Sequence, residues 1–299
     1  MIKKFAIEPR SLARRDDFRY VMEKLGFSQG RILTQFPKGW IKELLEKSES
    51  HITRAYIFEK LKNKKYKDDR MVKSGLPYDG NMEWATNAER LASNFDRIIV
   101  QKGVDRIEEA FILAQIANIN EEFFETEREI QALNTVQELT RPAEIFLKVS
   151  NQVAIIDPYF DVMNNRQECL KVLARFFEIA INSGRCTTFT IYTKNKFCPE
   201  DKGIKAKTDF EKLLTCQPSL PFKIFFIFIS ENSFQTAFHA RYFLSEKGGL
   251  RYDKGFRAPF DPELVDISLL DKVIHSNLCN LYLKPISQLE NESDWTWTF

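Results

Sequence analysis

A histidine, an arginine and a glutamate lie close together in an apolar stretch towards the end of the chain. His239 and Arg241 are two residues apart in a segment that we predict to be a strand over residues 237–245, so their side chains share one face. Glu246 follows directly. An imidazole beside a fixed cation, with an acid to orient one of them, can attack a phosphodiester or simply hold one. The pattern therefore indicates the ligand more clearly than it indicates a reaction.

Two other apolar runs end in residues that could serve the same ligand. Residues 154–156 are followed by Asp157, Pro158 and Tyr159, and the proline disfavours a helical conformation at Asp157. The carboxylate is thereby held at the carboxyl end of a strand, where open α/β sheets build their sites. The alternative is that Asp157 only caps the following turn.

The second run, residues 190–193, leads into Lys194 and Lys196. Two lysines at the exit of a strand could face an anionic group. The alternative is that both lysines are simply solvated, as charged side chains at strand ends usually are.

The spacing of His239, Arg241 and Glu246 resembles the His-x-Lys-(x)4-Asp motif of the phospholipase D superfamily, with arginine for lysine and glutamate for aspartate. The order of elements over residues 143–260 is similar to the phospholipase D-like domain at the C-terminus of proteins with a microtubule-interacting-and-transport domain. That family has a comparable order of Asp-Pro-Tyr, His-Asp-Arg and glycine-rich segments. The matching segments here are Asp157-Pro158-Tyr159, His239-Ala240-Arg241, Gly248-Gly249 and Gly255-Phe256.

In that superfamily the imidazole is the nucleophile, the lysine neutralises phosphate oxygens, and a second histidine protonates the leaving group. The resemblance implies metal-independent chemistry without a cofactor. It implies catalytic roles for His239, Arg241 and Glu246, and phosphate-binding roles for Lys194, Lys196, Asp157 and Tyr159.

This chain departs from the catalytic pattern in two ways. Neither His51 nor His275 is followed by a basic residue two positions on, so a second motif is missing and catalysis would require a symmetric homodimer. The planar guanidinium of an arginine in place of the lysine can donate two hydrogen bonds to one phosphate, which suits binding at least as well as catalysis.

The spacing of apolar residues along the sequence divides the chain into two parts. Residues 1–140 read as a mostly helical region, with strands only at Lys3–Ile7 and 98–100 and with helices over 105–118 and 122–150. From residue 150 onward, short β-branched and aromatic runs alternate with amphipathic stretches, which is typical of an α/β fold. The predicted strands are 152–157, 187–193, 222–229, 237–245 and 277–283, and the predicted helices are 167–182 and 207–215.

The fold class that we predict is α/β. A phospholipase D-like domain over residues 141–299, with a mixed sheet flanked by helices, follows the mostly helical N-terminal region of unknown role. The final segment, residues 295–299, places aromatic side chains at strand spacing, and we expect it to dock as an edge strand rather than to bind a partner.

Charge and composition indicate which kinds of partner the protein could bind. Residues 1–74 contain 19 Lys/Arg and 10 Asp/Glu, so this region could meet nucleic acid or an acidic protein partner. No apolar run reaches the length of a membrane-spanning helix, and the start lacks a secretory signal, which predicts a cytoplasmic protein. The five cysteines form no CxxC or Cys/His arrangement, so no metal site is expected.

The leading hypothesis is a phospholipase D-like protein that engages a phosphodiester, most naturally in nucleic acid. As an enzyme it would be a metal-independent nuclease acting as a homodimer, with a bacterial defence or genome-maintenance system as the setting that the superfamily implies. The alternative is a non-catalytic scaffold that binds nucleic acid, a protein partner or phosphoinositide headgroups.

Overall fold

The computed structural model describes residues 1–103, 105–109, 111–162, 166–230 and 240–299. The chain forms two compact units, an N-terminal unit of Met1–Arg128 and a C-terminal unit of Glu129–Phe299. The boundary lies about a dozen residues before the one predicted at 140/141, because the segment that starts at Glu129 is a strand of the C-terminal sheet. No helix in the described ranges has both the length and the apolar character needed to span a bilayer.

The described part of the N-terminal unit has a six-stranded sheet in the order β3-β2-β1-β4-β6-β5, parallel except for β5. Its strands are β1 (Lys3–Ile7), β2 (Arg31–Gln35), β3 (Met71–Lys73), β4 (Arg97–Val100), β5 (Arg106–Ile107) and β6 (Ile112–Gln115). Its helices are α1 (Arg15–Lys24), α2 (Trp40–Lys47), α3 (His51–Lys62), α4 (Lys64–Arg70) and α5 (Trp84–Arg90).

Both faces of this sheet are buried, because alternate residues of a strand point to opposite sides. Phe5 and Ile7 join one apolar cluster, to which α1, α2 and α3 contribute. Ala6 joins a second cluster with α5. Helices therefore cover both faces, as expected for a parallel sheet.

The prediction of a mostly helical N-terminal region missed this sheet. The strands Lys3–Ile7 and 98–100 are confirmed, but the helix predicted over 105–118 is wrong, since this range contains β5 and β6. These strands have two to four residues, too few for alternation to distinguish a strand from a helical turn.

The C-terminal unit has a mixed eight-stranded sheet in the order β14-β10-β9-β8-β11-β12-β13-β7, counted over the described residues. Its strands are β7 (Glu129–Leu133), β8 (Gln152–Ile156), β9 (Thr188–Lys194), β10 (Lys223–Ile229), β11 (Arg241–Ser245), β12 (Gly249–Tyr252), β13 (Leu264–Leu269) and β14 (Trp295–Thr298). Its helices are α6 (Val136–Thr140), α7 (Glu144–Val149), α8 (Arg166–Ser183), α9 (Ile204–Leu213), α10 (Lys272–Tyr282) and α11 (Ile286–Glu292).

The predicted α/β class with a mixed sheet is confirmed. Strands β8, β9 and β10 are parallel and are connected through α8 and α9, while β11 returns antiparallel to β8. Strands β8 and β9 are buried on both faces over nearly their whole length, which explains why β8 is mostly apolar and β9 mixes apolar residues with threonine. Of the strand predicted over 237–245, residues 237–239 lie outside the described residues.

Two further predictions are wrong. The helix expected over 122–150 is replaced by β7 followed by the short helices α6 and α7. Residues 277–283 belong to the helix α10 rather than to a strand. Asp271 begins this helix by accepting a hydrogen bond from the backbone N–H of Val273 at 2.7 Å, and an N-cap of this kind commits the following residues to a helix.

The C-terminal aromatic segment docks within the unit as expected. Strand β14 pairs antiparallel with β10, and Trp295 and Trp297 are buried while Thr296 and Thr298 are exposed. The segment therefore closes one edge of the sheet instead of forming an adhesive tail.

Candidate phosphate-binding site

The carboxyl ends of β8 and β9 and the start of β11 meet at one edge of the C-terminal sheet. Tyr242 pairs with Ile156, and Ile156 pairs with Tyr192. Asp157, Arg241 and Lys194, which each lie one or two residues from this register, are therefore brought together at that edge. This grouping follows from strand order, because residues far apart in sequence become neighbours only when their strands pair.

Asp157 is buried and its carboxylate is held by the backbone. One oxygen accepts a hydrogen bond from the N–H of Tyr159 at 2.9 Å, and the other accepts one from the N–H of Phe256 at 3.0 Å. Burial raises the pKa of Asp157, while the two backbone N–H groups and the nearby arginines Arg241 and Arg257 oppose this shift. Asp157 thus both caps its turn and joins the loop after β12 to the end of β8.

Arg241 extends from the first residue of β11 over this buried acid. Its Nε lies 3.8 Å from Oδ1 of Asp157 and makes no hydrogen bond to any described residue, and its Nη1 donates to the carbonyl oxygen of Asp253. The side chain is 24% exposed. The acid therefore orients the guanidinium from below without removing it from solvent.

Tyr159 lies at the centre of a group of cations that we call the Tyr159 cluster, formed by Tyr159, Lys194, Lys196 and Arg241. The guanidinium carbon of Arg241 lies 4.9 Å from the ring centroid, and the ammonium nitrogens of Lys194 and Lys196 lie 5.1 and 6.0 Å from it. The tyrosine is 40% exposed. Three positive charges around one accessible ring form a surface suited to an anionic ligand.

The predicted site residues are only partly brought together. Asp157, Tyr159, Lys194 and Arg241 lie at the same edge, with Lys196 in the turn that follows β9. His239 lies outside the described residues. Glu246 lies at the opposite end of β11 and accepts hydrogen bonds from the backbone and side-chain amide nitrogens of Asn151 at 2.9 and 3.0 Å.

Glu246 therefore does not orient Arg241. Glu246 lies five positions after Arg241, which is roughly 16 Å of extended backbone, and the acid that contacts Arg241 is Asp157, which follows a different strand. The motif grouped Glu246 with Arg241 because the two are close in sequence. In the sheet, the carboxylate of Asp157, at the end of the neighbouring strand, lies nearer to Arg241.

The sequence resemblance matched Gly255-Phe256 to a glycine-rich segment but gave the backbone groups of the loop after β12 no role in the site. The carbonyl of Asp253 and the N–H of Phe256 hold Arg241 and Asp157, and backbone groups leave no trace in a side-chain motif. Gly255, between them, is the available signal. Its φ is +84°, and a Cβ there would press on the carboxylate of Asp157 and lie 3.2 Å from Cδ of Arg241.

We expect Gly255→Ala to lower the free energy of unfolding by about 3 kcal/mol, because it combines the cost of a left-handed conformation with the displacement of Asp157. Urea unfolding measures the change. Gly184→Ala is the matched control, since Gly184 also has a positive φ, of +64°, but nothing lies within 4 Å of its Cβ. Equal losses in the two variants would show that the close approach to Asp157 contributes nothing.

Within the described part of the chain, no three His, Cys, Asp or Glu side chains are grouped so as to hold a metal ion. The Tyr159 cluster itself consists of cations and a phenol, which are groups that bind anions rather than metals.

Comparison with known proteins does not assign a family to the chain. No family model matches it, and no curated protein matches it. Among solved structures, it is similar to that of TrmBL2, an archaeal chromatin protein described as showing a novel mode of DNA binding, with 12% identity and a TM-score of 0.29 over 57% of this chain and 55% of that one. The chain thus spans about half the length of that protein, and a similarity this low carries no argument about fold or function.

Proposed function

We propose that the C-terminal unit is a phospholipase D-like module that engages a phosphodiester of nucleic acid through Arg241, Lys194 and Lys196. The observation that supports this proposal is the convergence of three cationic side chains around the exposed ring of Tyr159. Phosphate oxygens are the anionic groups that a planar guanidinium and neighbouring ammonium groups bind best.

The aromatic residue at the centre of the cluster favours nucleic acid over a lipid headgroup. Single-stranded nucleic acid is commonly held by cations along its backbone and by aromatic side chains against its bases. A phosphoinositide headgroup offers phosphates but no base to stack. The partly exposed Tyr159 therefore supports nucleic acid over a phosphoinositide headgroup as the ligand.

Catalysis is a further step of the same proposal. With His239 as nucleophile, Arg241 would neutralise the phosphate oxygens, and a second copy of the chain would supply the second histidine. The binding part of the proposal rests on the three cations and on Asp157 beneath them, and it holds whether or not His239 attacks the bound phosphodiester.

We expect Arg241→Ala to weaken binding of a fluorescent single-stranded oligonucleotide about tenfold, because one charge-assisted hydrogen bond to phosphate is lost. Fluorescence anisotropy at several salt concentrations measures this. Each lost cation should also reduce the slope of log affinity against log salt by about 0.7. Lys196 is exposed, so Lys196→Ala should not destabilise the fold, and it should have the same kind of effect on binding.

Two variants serve as matched controls. Arg185 is exposed just before β9 and Lys212 is exposed near the end of α9, and both lie towards the end of the parallel strands opposite the Tyr159 cluster. Arg185→Ala and Lys212→Ala should leave affinity and salt slope unchanged. Equal weakening in the control and cluster variants would contradict the proposal, because it would reveal only a general charge effect.

The enzymatic step is tested by incubating labelled oligonucleotides with the protein in EDTA. Cleavage that is lost in His239→Ala would establish the nuclease, whereas binding without cleavage would leave a scaffold. Liposome flotation covers the lipid alternative. Flotation with phosphoinositide vesicles that depends on Arg241, together with absent oligonucleotide binding, would overturn the assignment to nucleic acid.

A further inference from the structure

The N-terminal unit has a positively charged cavity at the edge formed by the amino ends of its parallel strands. The cavity has a volume of about 540 Å³, and we call it the amino-edge cavity. It is lined by Lys3, Gln29, Arg31, Glu125, Thr126, Glu127 and Arg128. Its volume falls within the range of about 300–1,000 Å³ that is usual for small-molecule sites.

Three cations from adjacent strands share one face of the sheet at this edge. Lys3 of β1 pairs with Arg31 of β2, and Phe5 of β1 pairs with Arg97 of β4. Because residues two apart on a strand point to the same side, Lys3, Arg31 and Arg97 lie on one face. Like charges on neighbouring strands repel each other, so this arrangement costs stability unless something neutralises them.

The protein holds these cations with backbone carbonyls rather than with carboxylates. Nη1 of Arg31 donates to the carbonyl oxygen of Phe124 at 2.6 Å, Nε of Arg97 donates to that of Phe123 at 3.2 Å, and Nζ of Lys3 donates to that of Glu125 at 2.8 Å. Carbonyl dipoles fix a cation in place without removing its net charge. Among the described residues, none of Lys3, Arg31 and Arg128 forms an ion pair.

Arg31 retains an unused donor. Its Nη2 donates to Gln29, but its Nε is buried and has no hydrogen-bond partner within the described chain. A buried unpaired donor on a charged group is costly. Burial and then Arg128 lower the pKa of Arg31, against an opposing effect of Glu121. Burial and then Arg97 lower the pKa of Lys3, although Asp96, Glu127 and Glu125 oppose this shift.

The wall of the cavity is tightly packed around Gly30. Gly30 has a φ of +74°, and a Cβ there would lie 2.8 Å from the carbonyl oxygen of Met1 and 3.0 Å from Oγ1 of Thr126. Thr126 in turn donates to the carbonyl oxygen of Gln29 at 3.1 Å. A wall held by such contacts loses little conformational entropy when a ligand binds.

We propose that the amino-edge cavity binds a nucleotide-sized anion that carries phosphate groups. The phosphates lie against the side chains of Arg31, Lys3 and Arg128. The remaining volume is too large for a single phosphate, and Glu125 and Glu127 on the exposed rim can accept hydrogen bonds from sugar hydroxyls or base amino groups. This site lies in the N-terminal unit, and the inference does not depend on the function proposed for the Tyr159 cluster.

The test is calorimetric titration of the full chain with ADP, with inorganic pyrophosphate and with adenosine. We expect ADP and pyrophosphate to bind with a dissociation constant below about 1 mM, and we expect adenosine not to bind. Arg128→Ala removes an exposed side chain and should weaken ADP binding about tenfold. Arg54→Ala, on the exposed surface of α3, is the matched control and should not change it.

Arg31→Gln separates a binding role from a structural role. ADP should raise the thermal unfolding temperature of the wild type but not that of Arg31→Gln, and ADP binding should persist in Arg241→Ala. The proposal is overturned if ADP stabilises Arg31→Gln as it does the wild type, if only pyrophosphate binds, or if neither phosphate compound binds. Loss of ADP binding in Arg241→Ala would also overturn it, by locating the ligand in the C-terminal unit.

Discussion

Asp157→Ala will lower the free energy of unfolding by about 3 kcal/mol and will weaken oligonucleotide binding. The substitution leaves the buried N–H groups of Tyr159 and Phe256 without their acceptor, and unsatisfied buried donors cost about 1–3 kcal/mol. It also removes the carboxylate that lies 3.8 Å from Nε of Arg241. Arg241 loses its orientation as a result, so the binding defect is indirect.

Urea unfolding and fluorescence anisotropy of the same preparation measure the two effects. Asp261→Ala, at an exposed acid of the same unit, is the control and should change neither. Asp157→Asn keeps one acceptor oxygen and should fall between the wild type and the alanine variant. If Asp157→Ala unfolded like the wild type, Asp157 would not hold the loop after β12 to the end of β8. If it bound oligonucleotide like the wild type, Asp157 would not position Arg241.

Trp297→Ala will lower the free energy of unfolding by about 4 kcal/mol, which is the usual cost of deleting a large buried aromatic side chain. Trp297 is 3% exposed in β14. Its ring lies 4.6 Å from that of Phe226 and 5.5 Å from that of Phe210, between centroids. The substitution leaves a cavity between the edge strand and α9 that the surrounding side chains cannot fill.

The adjacent strand positions provide the controls for this second experiment. Thr298→Ala, on the exposed face of the same strand, should change stability by less than about 0.5 kcal/mol. Trp297→Phe should cost much less than Trp297→Ala, because the Nε1 of Trp297 is buried and has no hydrogen-bond partner among the described residues. A small effect of Trp297→Ala in urea unfolding would mean that β14 detaches without loss to the sheet.

The central strands of the C-terminal unit could be predicted because their sequences carry strong local signals. Strands β8 and β10 are largely apolar, β9 mixes threonine with apolar residues, and α8 repeats its apolar residues at helical spacing over 18 residues. In contrast, the strands β5, β6 and β7 carry weak local signals, and pairing with a neighbouring strand determines their conformation. Their own residues do not distinguish a strand from a helix.

In the candidate site, too, some features could be predicted from the local sequence and others depend on strand pairing. The sequence by itself determined that Asp157 and Lys194 stand at the ends of strands, since each follows an apolar run, and it placed Arg241 within a strand predicted over 237–245. Only the tertiary structure decided that Asp157 rather than Glu246 contacts Arg241, and that Tyr159 gathers the three cations around its ring. The physical reason is that strand pairing, not sequence spacing, sets which charges become neighbours. The antiparallel return of β11 beside β8 places Arg241 over Asp157 and carries Glu246 to the far end of the sheet.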